Sequence, residues 1–344
     1  MEDAGPYGAD KGAGGKYLIL PPGHIGKAPD GYIVVPSETF AGYALFRSNL
    51  ASHGEEDIAK SAAYGKRLKV YPLAQAASPP ETRFTDAKDI LYDSTIPYDV
   101  RFFRSLDRIV QTEPWLTRDM AMIDQLRSLG IEKGKAFAPD AATTEILNAA
   151  ATEARDVVDR MYDRGFPRFF PTSRWAVPAF PVLVKAQSSG FVASDQYPLD
   201  ARALTYSLGY IGIKRLGTAQ AYLIAEKDRD GRRFNGGKTY RLQVPPNVPV
   251  DQYWSVTVYD RQTHALVKNM PRASRASNVS ELRKNADGSI DVYFSPNAPA
   301  GKDTNWVPTD PQRDFELLFR VYAPRKEFFD RTWVLPDVET VALE

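Results

Sequence analysis

The chain has 344 residues, enough for two domains that each bury a core. Its 44 basic and 43 acidic residues balance, so no global field favours nucleic acid or an anionic membrane. It has no cysteine and three histidines, which excludes thiol catalysis, disulfides and thiolate metal sites and leaves little for a histidine-rich one.

Lys11–Lys16 (KGAGGK) has the glycines of a phosphate loop. It runs into the strand-like Tyr17–Leu20 and Pro21-Pro22 rather than into a helix, so a glycine turn before a strand is expected. Tyr32–Val35 follows as a second strand after the turn Ala28–Gly31. Thr39–Leu50 is apolar and aromatic and ends in polar residues at Ser52 and His53. Glu55, Glu56 and Asp57 mark a helix start, with Ile58, Ala62 and Leu68 as its expected buried stripe. Residues 98–129 read as helical with a break at Glu113-Pro114 and a C-cap at Gly130. Pro139-Asp140 opens the clearest helix, to about Tyr162, with Ile146, Leu147, Ala150, Ala154, Val157, Val158 and Met161 as its apolar face. Gly165–Pro178 is extended and aromatic, and Asp228–Gly231 (DRDG) is a turn. DRDG lacks the bidentate carboxylate that would close a calcium loop.

From Asn235 to Glu339 strict alternation takes over. Trp254, Val256 and Val258 alternate with Tyr253, Ser255, Thr257 and Tyr259. Ile290, Val292 and Phe294 alternate with Asp291, Tyr293 and Ser295. Phe315, Leu317, Phe319 and Val321 alternate with Glu316, Leu318, Arg320 and Tyr322. Successive side chains of a strand point to opposite faces, so each run buries one face and offers the other to water or a cavity. Several such runs in about a hundred residues predict a β-sandwich or jelly roll. The expected fold is mixed and mainly β: a partial β-rich domain at 1–90 with one helix, a helical and extended connection at 91–190, and a C-terminal sandwich at 191–344.

GGKYLILPPG (Gly14–Gly23), PDGYIVV, VYPL, SLGIEKGKAFAPD (Ser128–Asp140), YWSVTVYD, KNADGSIDVYF, NWVPT, FRVYAP and TWVLPDVE occur in this order. Together they resemble the paired bacterial families known as domains of unknown function 1254 and 1214. The resemblance implies two β-rich domains with helices between them, and a periplasmic or secreted protein. Members usually carry a strand-rich segment ahead of GGKYLILPPG. Residues 1–16 supply neither that segment nor an export signal, so a truncated, processed or reduced first domain is expected.

Candidate chemistry gathers on the C-terminal strands. Tyr259, Asp260 and Arg320 are the catalytic candidates: the arginine to orient an anionic or carbonyl oxygen, Tyr259 or Asp260 as donor or base. Trp254, Asn269, Arg272, Asn305, Trp306, Tyr322, Arg174, Trp175 and Tyr206 are candidate ligand contacts, since pockets are mostly aromatic with a few converging polar groups. Structural roles compete at each position: Arg320 in an ion pair, Asn305 holding a loop, Trp175 packing elements together. His24 reads as a turn residue and His264 as exposed. Two functions follow: an acid–base, hydrolase-like enzyme on a small organic or lipid-like substrate, or a non-catalytic ligand-binding or interaction protein of the cell envelope. No G-x-S-x-G elbow, metal motif or cofactor motif is present, so no cofactor is expected. A small-molecule ligand, no nucleic acid, no membrane span and a homo-oligomer complete the expectations; the last rests on strand edges that need covering.

Overall fold

The alternating runs form the strands they predict. A computed structural model describes residues 3–6, 8–48, 50, 54–87, 90–91, 93, 95–189, 198–209 and 220–342. His53 lies outside the described residues. The chain divides into two units, one of residues 1–93 and 103–139, the other of residues 94–102 and 140–344.

In the first unit, β1 (Tyr17–Leu20) pairs in parallel with β2 (Ile33–Pro36). The glycine-rich run before β1 wraps Asp10, whose carboxylate accepts from the Gly5 and Gly14 amides and from the Tyr17 hydroxyl at 2.7 Å. It is the expected turn, with the loop's hydrogen bonds turned inward. The first helix, α1 (Glu55–Gly65), starts at its acidic residues, but its stripe is not buried: Ile58 is 50% exposed, Leu68 41%, and Ala62 is exposed too. Among the described residues no element covers it. The helix α2 (Val100–Thr112) stops at Glu113, whose carboxylate accepts from the Phe40 and Ala41 amides. A short α3 (Met120–Gln125) leads to Gly130, which takes the left-handed conformation expected of a C-cap.

The second unit holds the sandwich. Asp140 caps α4 (Ala141–Asp163) by accepting from the Thr143 amide at 2.7 Å. The buried face of α4 is rotated from the expected one. Leu147, Ala151 and Tyr162 are buried, whereas Ile146 and Val157 are exposed. Two short helices, α5 (Pro181–Ser188) and α6 (Leu199–Gly209), follow.

The strands are β3 (Gln220–Ala225), β4 (Phe234–Asn235), β5 (Tyr240–Val244), β6 (Trp254–Asp260), β7 (Ser274–Ala276), β8 (Ile290–Ser295), β9 (Trp306–Pro308), β10 (Asp314–Tyr322) and, after α7 (Lys326–Phe329), β11 (Glu339–Thr340). One sheet runs β3–β10–β6–β7, with β4 also on β10; the other runs β11–β5–β8–β9. Val256, Val258, Phe315, Leu317 and Phe319 of the first sheet meet Leu242, Val292, Phe294 and Val307 of the second in one core. The fold is thus mixed and mainly β, as expected. DRDG is a turn: Gly231 has φ +83°, and the buried Asp228 carboxylate accepts from the Arg232 amide and the Thr340 hydroxyl.

The five-stranded sheet has a second face, turned away from this core. In register, Arg320 stands opposite Ser255 on one side and Tyr222 on the other; Glu316 stands opposite Tyr259. The middle of this face, Ile224 and Leu318, packs under Val158, Met161, Tyr162, Phe166, Phe180 and Leu204. Apolar helix residues therefore cover the centre, with polar groups at either end. Among the described residues no helix is long and apolar enough to cross a membrane.

Candidate functional site

Toward one end of the outer face is a tyrosine-lined cation. The Arg320 guanidinium donates to Thr257 Oγ1 at 2.7 Å and to the Tyr259 hydroxyl, and lies 5.4 Å from the ring centres of both Tyr222 and Tyr259. Alternation along β6 and β10 places these side chains on one face, and the arginine reaches along the sheet to the tyrosine opposite Glu316. Burial opposes its charge, but Tyr259, then Tyr322 and Tyr222, outweigh it and raise the Arg320 pKa, so the side chain stays cationic. Among the described residues no carboxylate pairs with it. Ring contacts offset about 0.5–2 kcal/mol of the desolvation, whereas an unpaired buried charge costs several kcal/mol. The site keeps an unspent positive potential.

The other end is built on Glu316, the third residue of β10, which is 1% exposed. Its Oε2 accepts from the Tyr162 hydroxyl at 2.6 Å, and His264 Nδ1 lies 3.1 and 3.2 Å from its two oxygens. Facing an acceptor pair, Nδ1 is the donor, and Nε2 is an acceptor when the ring is neutral. Nε2 makes no hydrogen bond to the described residues. His264 follows β6 in a left-handed conformation (φ +54°), and its amide donates to the Asp260 carbonyl. This turn folds the ring back against Tyr162, with centroids 4.5 Å apart. His264 is therefore not exposed as expected; its side chain is 9% exposed.

Arg261 stands 4.3 Å over the Tyr162 ring and pairs with Asp159 at 2.5 Å and Asp163 at 3.1 Å. Burial opposes the Arg261 charge, and Asp159 and Glu316 outweigh it. Burial, then the Glu316 charge, drives the Tyr162 hydroxyl well above the usual phenol range, so it remains a proton donor at ordinary pH.

Of the residues picked from sequence, Tyr259, Arg320 and Tyr322 share this face. Tyr322 stacks on Tyr253 at 4.2 Å. Asp260, expected as a base, lies one residue on and so points to the other side. Its carboxylate accepts from the Gln262 and Thr263 amides and pairs with Arg313 at 2.5 Å. Burial pushes the Asp260 carboxyl up, but the Arg313 and Thr263 bonds outweigh it and hold it below the usual range.

Trp254 is in the sandwich core, stacked on Phe319. Trp175 is fully buried and donates to the Pro336 carbonyl; the Arg174 amide donates to Asp337. Asn305 is buried and accepts from the Arg283 amide while donating to the Arg283 and Asp291 carbonyls, the loop-holding role. Arg272 sits over Trp306 and donates to the Asp303 carbonyl; Trp306 donates to the Ser295 carbonyl. Asn269 is an exposed left-handed turn residue, and Tyr206 is exposed on α6. None of these eight contacts the Arg320 guanidinium. Sequence reasoning missed Tyr162, Glu316, Arg261, Tyr222 and the role of His264. The available signal was Glu316, an acidic residue inside an apolar alternating strand on the same face as Arg320.

Comparison with known proteins gives family and no activity. Residues 219–326 match the model of a protein of unknown function (DUF1214), and residues 4–72 match that of another (DUF1254). A crystal structure of a Vibrio parahaemolyticus protein aligns with 97% of this chain and 77% of its own, at 18% identity and a TM-score of 0.49. One of an uncharacterised Burkholderia cenocepacia protein aligns with 66% of this chain and 50% of its own, at 17% identity and a TM-score of 0.28. A search of curated proteins returns no match. The chain thus joins a region that matches DUF1254 to a region that matches DUF1214.

Proposed function

We propose that the outer face of the five-stranded sheet binds a small organic molecule carrying an anionic or carbonyl oxygen, and performs hydrolase-like acid–base chemistry on it. The observation that carries this reading is Arg320: a half-buried cation, held by Thr257 and Tyr259 among tyrosine rings, with no carboxylate partner among the described residues. Such a group has its geometry fixed in advance and its charge uncompensated, which is how a site recognises developing negative charge. The Tyr259 hydroxyl accepts from Arg320, so its own proton is free to donate to the same ligand oxygen.

The base in this reading is His264. Glu316 holds its Nδ1 and orients the ring, leaving Nε2 to take a proton from water or substrate. Tyr259, which accepts from Arg320, stands opposite Glu316 in register and so links the two ends of the face. Catalysis of this kind needs neither cysteine nor a serine elbow.

The test is a thermal-shift screen of the full chain against anionic and ester metabolites, with Arg320→Met and Tyr259→Phe beside it. A ligand at a hundred times its Kd stabilises by about 2.7 kcal/mol. At roughly 2–4 °C per kcal/mol for a unit of this size, the transition rises by about 5–10 °C. Arg320→Met is expected to abolish that rise and Tyr259→Phe to reduce it. Equal stabilisation of all three proteins would remove the assignment.

A further inference from the structure

At the end of β3, against the edge of the covered centre of the sheet, lies a cleft of about 140 Å³. At about 30 Å³ per water it has room for four or five waters, or one ligand of roughly that many heavy atoms. Its walls are of two kinds. Phe166, Ala176 and Ile224 are apolar. Arg164, Arg168, Arg174 and Lys227 bring positive charge, against Asp163 and Glu226.

Half of these charged groups are already engaged. Asp163 is bound by Arg233 and Arg261; Lys227 donates to the Asp163 carbonyl, and Arg174 donates to the Arg229 carbonyl. Three are not: the Arg164 and Arg168 guanidinium groups and the Glu226 carboxyl have no hydrogen-bond partner among the described residues. Glu226 is largely buried, and burial pushes its carboxyl up to about 8, with Arg261 and Lys227 lowering it and Glu316 and Asp163 raising it. At neutral pH it is mostly an O–H donor rather than a negative charge. The cleft then presents one acid proton and unspent guanidinium charge beside an apolar wall.

We propose that this cleft is a binding site for a short-chain carboxylate, whose oxygens accept from Glu226 and an unpaired arginine while its alkyl end lies on Phe166 and Ile224. The apolar wall favours a carboxylate over inorganic phosphate of similar size. The cleft makes no use of Arg320 and does not depend on the function proposed for that residue, although Glu226 feels the charge of Glu316 and Arg261.

The test is titration of the full chain with sodium propionate and, separately, inorganic phosphate, at pH 6.5 and pH 9.5. It is read by calorimetry and by amide shifts in transverse-relaxation-optimised NMR spectra. Saturable propionate binding at pH 6.5 should move the Phe166, Ile224, Glu226 and Lys227 amides. At pH 9.5, about 1.5 units above the Glu226 ionisation, affinity should fall at least tenfold. Glu226→Gln keeps a donor and should bind propionate with that pH dependence lost, while Arg168→Ala should weaken binding at least fivefold at both pH values. Arg320→Met should bind propionate like wild type, which separates this site from the other.

Absence of saturable shifts around Glu226 in wild type, or an unchanged pH dependence in Glu226→Gln, overturns the proposal. Phosphate binding as tight as propionate overturns the carboxylate class. If Glu226→Gln does not fold, the wild-type comparison at the two pH values decides.

Discussion

Tyr162→Phe isolates the bond that fixes the buried acid of the sheet. The phenol donates to Glu316 at 2.6 Å, and both side chains are buried. Phenylalanine keeps the ring and its contacts with His264 and Phe166, so no cavity opens and only the hydroxyl is lost. A hydrogen bond to a charged group contributes about 1.5–3 kcal/mol, and the acceptor left behind has no water to replace the donor. The expected loss is about 2 kcal/mol, or a melting transition lower by roughly 4–8 °C. Tryptophan fluorescence during chemical and thermal unfolding reads it. In a double-mutant cycle with Glu316→Gln the coupling should exceed about 1 kcal/mol, because both changes act on one bond. A Tyr162→Phe protein within about 0.3 kcal/mol of wild type, or additive effects in the cycle, would refute the claim that Glu316 is held by this donor.

Three further outcomes follow from the same physics. Asn305→Ala removes three 2.8 Å bonds to backbone groups of residues 283 and 291 and should cost about 2–4 kcal/mol, measured by urea unfolding. The Asp260 carboxyl is held below its unfolded value of 3.8, so its stabilisation is present above that pH and is lost as pH falls through the folded value. Asp260→Asn should flatten stability below about pH 4 in an acid titration of unfolding. Glu226 runs the other way. Its folded value of about 8 lies above the ordinary carboxyl value of 4.5, so its contribution is full below 4.5 and is lost as pH rises to about 8. At 1.36 kcal/mol per unit the limit is roughly 5 kcal/mol, which the water reaching its exposed edge reduces to about 2. Glu226→Gln should remove this decline, and a wild-type stability that rises from pH 5 to 8 with the same slope in the variant would contradict it.

Alternation made the sandwich legible, and with it the face that carries Arg320, Tyr259 and Tyr322. The same period carried information that adjacency obscured. Trp254 shares the parity of Val256 and Val258 and so belongs to the core, while Asp260 cannot share a face with Tyr259. The α4 stripe was misjudged by about one residue's rotation, enough to hide Tyr162. His264 and Glu316 are 52 positions apart, and only a left-handed turn after β6 aims the ring at the acid. No local pattern announces such a turn. Polar residues where strands meet loops, such as Asn305 and Asp260, proved to be backbone anchors, because a buried chain segment must have its amides and carbonyls satisfied. In the first unit the helix signal was correct while its burial was not, since periodicity shows which face is apolar and not whether anything covers it.

The measurement that bears most directly on the central claim is a calorimetric titration of the most stabilising anion from the screen into wild type and Arg320→Met. Removing a charged group that binds an otherwise unpaired anion costs 2 kcal/mol or more, so the variant should bind at least about thirtyfold more weakly while unfolding with an intact core. Equal affinity in the two proteins would place the ligand away from Arg320 and contradict the account.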